Sequence, residues 1–292
     1  SVGLYDAAGT TWQSGGNITI NGGTLNIDSS DDSIHAGGNI NLYGGKMMLA
    51  SADDGVHSDH DLTIGKGSSN TYDDVQVIIS YCYEGMEAMN INQNSGTVIV
   101  NSVDDGYNAA GSADGSGATS PGGWWQGGGT SGTGSYSLNI KGGFIRVNVT
   151  DGDHDGFDSN GSLTISGGIV ISNGNEAFDA DGTKSYTGGI FIEDKGSGGM
   201  GGMGGGGLTT TLSVSGSVSA GQRITLVDNS GKIIVSFIAD KNVSTVAAGC
   251  KDYSGASVYV GGTLSDSTYF QTIDDTQLAA YGGTLSSGSK LG

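Results

Sequence analysis

Residues 22–36 read G-G-T-L-N-I-D-S-S-D-D-S-I-H-A, and N-I-N-L-Y follows at 39–43 before a second glycine pair, Gly44-Gly45. The next stretch repeats the pattern as G-G-K-M-M-L-A-S-A-D-D-G-V-H-S-D (44–59) and D-L-T-I-G (61–65). Gly22 maps onto Gly44, Leu25 onto Met47, Ile27 onto Leu49, Asp32 onto Asp54 and Ile40 onto Leu62, each at an offset of 22 residues. Self-similarity at a fixed period of this size marks a repeat architecture, in which no single unit can bury its own apolar face.

Four further units follow with insertions, carrying Y-E-G-M-E-A (83–88), D-D-G-Y-N-A (104–109), H-D-G-F-D-S-N (154–160) and N-E-A-F-D-A-D (175–181). Each comes after a short aliphatic run: V-Q-V-I-I, T-V-I-V, F-I-R-V-N-V and G-I-V-I. Alternation of apolar and polar residues over three to five positions is the pattern of a half-buried strand. Three interior columns result. Leu25/Ile27, Met47/Leu49, Val77/Ile79 and Val98/Val100 form the first, and Ile18/Ile20, Ile40/Leu42, Leu62/Ile64, Leu138/Ile140 and Leu163/Ile165 the second. Ile34, Val56, Met86, Tyr107, Phe157 and Phe178 form the third, just after each acidic turn. The expected fold is therefore all-β: a right-handed parallel β-helix with three short parallel sheets and about 22 residues per coil.

Composition agrees. The chain has 292 residues with 57 glycines and one proline, and the glycines recur at fixed offsets among Val, Ile and Leu, as corners of a stack would require. A net charge of −19 opposes nucleic acid as a partner, since phosphate binding needs a basic face. No apolar run reaches membrane-spanning length, and the opening S-V-G-L-Y-D lacks the pattern of a signal peptide, so any leader is expected to have been removed or left out. Cys82 and Cys250 could form one bridge or stay as two buried thiols, with the second reading favoured. The chain divides into a β-helix over 1–195, a Gly/Met-rich linker or loop over 196–207, and a C-terminal β unit over 208–292 that supplies either a cap or further coils. A Gly/Ser-rich insertion at 110–135 carries Trp124 and Trp125.

The acidic turns carry the chemistry. Stacking places equivalent residues about 4.8 Å apart. Asp32, Asp54, Glu84, Asp105, Asp155 and Glu176 then form one row, with His35, His57, Glu87, Asn108, Asp158 and Asp179 three residues on. Two like charges about 5 Å apart repel by roughly 3 kcal/mol at an effective dielectric near 20, so an uncompensated row is destabilising. Calcium relieves such a row by taking six to eight oxygen ligands in flexible geometry. Asp31, Asp53, Asp59, Asp104, Asp153 and Asp181 crowd the same turns and complete the set of candidate calcium ligands. The competing explanation is that Asp-Asp and Asp-Gly suit tight turns and leave only a solvated edge. His35 and His57 are read as hydrogen-bond partners of the turns rather than zinc ligands.

The tandem motifs S-A-D-D-G-V-H-S-D, N-S-V-D-D-G-Y-N-A-A-G, D-G-F-D-S-N-G and E-A-F-D-A-D-G resemble those of bacterial extracellular carbohydrate-binding β-helix proteins. The resemblance covers about residues 15–195, and A-G-Q-R-I-T-L-V-D-N-S-G-K-I-I-V-S-F looks like that family's C-terminal part. It implies a secreted or cell-surface, calcium-carrying, non-catalytic relative of pectate-lyase solenoids that binds cellulose or acidic sugars. Ser33 in place of glycine, and Tyr83-Glu84 and Asn175-Glu176 in place of Asp-Asp, depart from the motif and make those turns less suited to metal.

An acidic chain holds an acidic polysaccharide only if calcium bridges the two, whereas a neutral glycan needs aromatic faces. Trp124, Trp125, Tyr81, Tyr83 and Tyr107 are the candidates for stacking on sugar. A calcium-dependent lyase would need a basic residue beside the metal, for which Lys141 and Arg146 are nearest in sequence to the later turns. A third reading is a homo-oligomer or fibre built by stacking solenoid ends.

Overall fold

A computed structural model describes residues 16–67, 71–110, 135–151, 154–195, 207–251, 253, 255–270 and 279–292, and these are all-β. No helix among them is long and apolar enough to cross a membrane. Three ladders of parallel strands run through the first two-thirds of the chain. In the first, Leu25 and Ile27 pair with Met47 and Leu49, these with Val77 and Ile79, and these with Val98 and Val100. The ladder continues through Phe144–Val149 and Ile169–Ser172 to Ile190–Lys195. The second links Ile18, Ile40, Leu62, Ile91, Leu138 and Leu163 in register. The third links Ile34, Val56, Met86, Tyr107 and Phe157, and the Phe157 ring stacks on Phe178 at 5.2 Å. The three expected columns thus meet in one buried core.

Two departures have physical causes. The second column includes a member that alternation did not reveal, Ile91 with Gln93, because Gln93 is polar. It is nevertheless fully buried, its amide donating to the Ser95 carbonyl at 2.6 Å and its oxygen accepting from the Tyr107 hydroxyl at 3.0 Å. Secondly, the strands at Thr97–Ser102, Phe144–Val149 and Ile169–Ser172 are buried on both faces, so their runs are continuous rather than alternating.

What covers the outer face is the C-terminal part. Ile99, Phe144, Ile169, Ile171, Ile190 and Ile192 form a second core with Ile224, Leu226, Phe237, Val258 and Phe270. Pairing there is antiparallel: Arg223–Val227 lies between Ile233–Ile238 and Ser257–Val260. Val243–Gly249 pairs antiparallel with Ile190–Lys195, the last rung of the first ladder. Further parallel coils, one of the two expectations for this region, are therefore not what the described residues form. Arg146 pins the two parts together, its guanidinium only 2% exposed, bonded to Asp240 and the Ile238 carbonyl and lying 5.5 Å from the Phe237 ring centroid. Cys82 and Cys250 are both free and buried.

One corner of the stack needs glycine. Gly45 has φ +103°, and a Cβ there would lie 2.9 Å from the Gly23 carbonyl oxygen of the preceding coil. An L side chain is disfavoured there twice, by backbone conformation and by space.

Candidate cation and glycan edge

The acidic turns stack through their own backbones. The N–H of Ser33 donates to the Asp54 carbonyl (2.9 Å), Gly55 to Glu84 (2.9 Å), Gly85 to Asp105 (3.0 Å), Gly106 to Asp155 (3.2 Å) and Gly156 to Glu176 (3.0 Å). This relay holds the carboxylate row in register. Side chains reinforce it: the Asp54 N–H donates to Asp32 Oδ1 at 2.9 Å, Asp155 N–H to Asp105 Oδ1 at 2.7 Å, and Glu176 N–H to Asp155 Oδ1 at 2.8 Å. Motif reading missed these amide donors, which offset part of the repulsion along the row.

The row divides into two halves with different chemistry. In the first two turns imidazoles answer the carboxylates. His35 Nδ1 lies 3.0 Å from Asp32 Oδ2, and His57 Nδ1 lies 3.0 Å from Asp54 Oδ2 and 3.1 Å from Glu87 Oε2. Burial opposes charge on both rings, but hydrogen bonds that His35 donates to Asp32 and Asp59 lift it to about 9. Bonds that His57 donates to Asp54 and Glu87 overcome the same burial and lift it to about 12. These contacts tie each ring to an acid of its own turn. Of the two acids on His57, burial holds Asp54 above its ordinary range, whereas the imidazole overcomes burial at Glu87 and keeps it below. Carboxylate oxygens of Asp31, Asp32 and Asp53 also come within 4.8 Å of one another at this end.

Among the described residues, the four later turns share two basic partners between them, half as many per turn. Burial, then the charges of neighbouring acids, push Glu84 well above the carboxylate range and Asp105 up to about 8. Burial is likewise the first cause at Asp155 and Asp158, each raised to about 6. His154 Nδ1 sits 2.5 Å from Asp104, and Lys184 serves Asp179 at 2.8 Å and Glu176 at 3.8 Å. Asp181 adds to the repulsion felt by Asp158. Among them lies Asn108, only 8% exposed, whose amide donates to Glu84 Oε2 at 2.9 Å while its own Oδ1 is buried without a hydrogen-bond partner. A buried amide oxygen left bare costs about 1–3 kcal/mol. Clustered carboxylates beside a bare amide oxygen are oxygen donors that could hold a hard cation.

Among the aromatic candidates, Tyr81 and Tyr83 are exposed, 55% and 45% respectively. The Asp104 carboxylate beside it, then partial burial, hold the Tyr83 phenol above its ordinary range. Tyr107 corrects the expectation of sugar stacking. It is fully enclosed, stacked on Phe157 at 4.9 Å, and its place in the third apolar column is what determines its role. Trp124, Trp125 and Asp153 lie outside the described residues. Of the two basic residues considered for lyase chemistry, Arg146 is sealed in its ion pair with Asp240, and Lys141 is exposed with its ammonium on Asn92 Oδ1 at 3.0 Å.

The family described as "Carbohydrate-binding domain-containing protein" has a model that matches residues 5–55, a stretch that includes the first acidic turn and reaches the second. This match supports a carbohydrate partner. No curated protein and no solved structure matches the chain.

Proposed function

We propose that the chain is a secreted or cell-surface polysaccharide-binding protein, a right-handed parallel β-helix that holds its glycan through calcium on the acidic edge. The three parallel ladders support the fold reading, with the antiparallel C-terminal strands acting as a lateral cover and end cap. Carbohydrate binding is supported by the family match. The observation that carries the site is Tyr83, an exposed ring within the later acidic turns whose phenol lies in the field of Asp104, Glu84 and Asp105. An aromatic face beside carboxylates offers a glycan both stacking and cation-mediated contacts. Glu84, Asp104, Asp105, Asn108, Asp155 and Asp158 would hold the calcium, which when bound neutralises the row and presents positive charge to a uronate carboxylate. A non-catalytic role is supported by the two basic residues nearest the turns in sequence: Arg146 is committed to its ion pair with Asp240, and the Lys141 ammonium is held on Asn92.

Co-sedimentation tests this reading. The chain should be retained by a polygalacturonate gel in millimolar calcium and released by a chelator, and Tyr83→Ala should weaken retention on insoluble cellulose and on the gel. Absence of retention on either glycan contradicts the proposal, and so does unsaturated product absorbing in the ultraviolet from polygalacturonate.

A further inference from the structure

The two histidines of the first turns hold more geometry than hydrogen bonding to the turns requires. His35 and His57 are paired in register on adjacent parallel strands, with ring centroids 4.6 Å apart and planes at 27°. Each ring uses Nδ1 on a carboxylate three residues earlier in its own turn, Asp32 and Asp54, both at 3.0 Å. Both Nε2 atoms also face one shared group: Asp59 Oδ1 lies 3.2 Å from His35 Nε2 and 3.5 Å from His57 Nε2. A tetrahedron with metal–ligand arms of about 2.1 Å has edges of about 3.4 Å, so these separations are those of neighbouring ligands around one zinc-sized ion. Imidazoles whose far nitrogen is fixed by a carboxylate are the usual arrangement at such ions, because the carboxylate sets the tautomer and strengthens the ligand.

We infer that His35, His57 and Asp59 form a binding site for a borderline divalent ion of the zinc class, oriented by Asp32 and Asp54 and separate from the oxygen-lined later turns. Two nitrogen donors favour zinc over calcium, which takes oxygen almost exclusively. The three protein ligands leave a fourth position for water, and the Asp59 side chain, 16% exposed, gives the ion a way in. Binding expels the Nε2 protons to solvent while each Nδ1–H stays on its carboxylate. The acids that hold the imidazole protons also stabilise the dication replacing them, with Glu87 close to His57 at 3.1 Å. Without a metal the same five side chains would be a carboxylate-bridged imidazolium pair, and titration distinguishes the two.

The full chain, stripped with chelator and dialysed, is titrated calorimetrically with Zn²⁺ at pH 8 in two buffers of different ionisation heat. Cobalt serves as a spectroscopic probe. Expected are one high-affinity zinc per chain with proton release, four-coordinate visible bands for cobalt, and no displacement by excess calcium. His57→Gln and Asp59→Asn should lose the site, and Asp32→Asn should weaken it by about 10–100-fold. His154→Gln should leave it intact. Circular dichroism melts check that each variant folds, and Asp59→Asn keeps both rings anchored on Asp32 and Asp54 should the histidine variants fail. No zinc uptake by the wild-type chain, uptake that survives His57→Gln and Asp59→Asn, or displacement by calcium would overturn the inference.

Discussion

Gly85 shows how closely the acidic turns approach one another. A Cβ at this position would run into the Gly106 carbonyl oxygen of the next turn and the Val100 side chain, so Gly85→Ala should destabilise the fold by about 1–3 kcal/mol in urea unfolding. Tyr107→Phe makes a second test: it removes the hydroxyl that serves Gln93 Oε1 and leaves that oxygen buried and bare, a loss of about 1–3 kcal/mol. Because the ring faces the core, glycan retention should be unchanged in this variant. At this scale the sequence was only partly legible. The motif placed Tyr107 on two lists, as an interior column residue and as a sugar-stacking face, and nothing local decides between them. Packing on Phe157 does. The amide donors to Asp32, Asp105 and Asp155 could not be anticipated either, because they come from the next coil rather than from the motif itself.

The row of turns, taken as one element, has a pH signature. Asp105 at about 8, and Asp155 and Asp158 at about 6, hold protons more tightly when folded than when unfolded, where carboxylates titrate near 4. Groups of this kind favour the fold at low pH, and their contribution is lost as pH rises through the folded values. His35 and His57, raised to about 9 and about 12, act with the same sign: they contribute fully below about 6.5 and lose that contribution as pH climbs through their folded values. Asp59 and Glu87 are shifted the other way, which matters only as pH falls below about 4. The melting temperature of chelated protein should therefore fall from about pH 5.5 to about pH 8.5, and calcium should shrink the fall. A flat or rising profile contradicts this assignment. The strand elements were legible wherever one face met the core and the other did not, as at Ile40–Ser51. They were misread as half-buried at Thr97–Ser102 and Phe144–Val149, since the partner for the outer face lies more than 70 residues later in the chain.

Across the whole molecule, two unlike parts are joined by a buried charge. Asp240→Ala would strand the Arg146 guanidinium in the interface between the parallel stack and the antiparallel strands. Stability should drop by about 3 kcal/mol, with Asp194, buried nearby, limiting the loss. Limited proteolysis should then release the C-terminal part first. That this part packs along the side of the stack was not readable from its strands, which look alike whether they extend the stack or cover it. The proposed function rests on the acidic edge, and calcium titration into the chelated full chain tests it most directly. Uptake with a raised melting temperature is expected, both lost in Asp105→Asn and reduced in Asn108→Ala. No uptake and an unchanged melting temperature in the wild-type chain would contradict it.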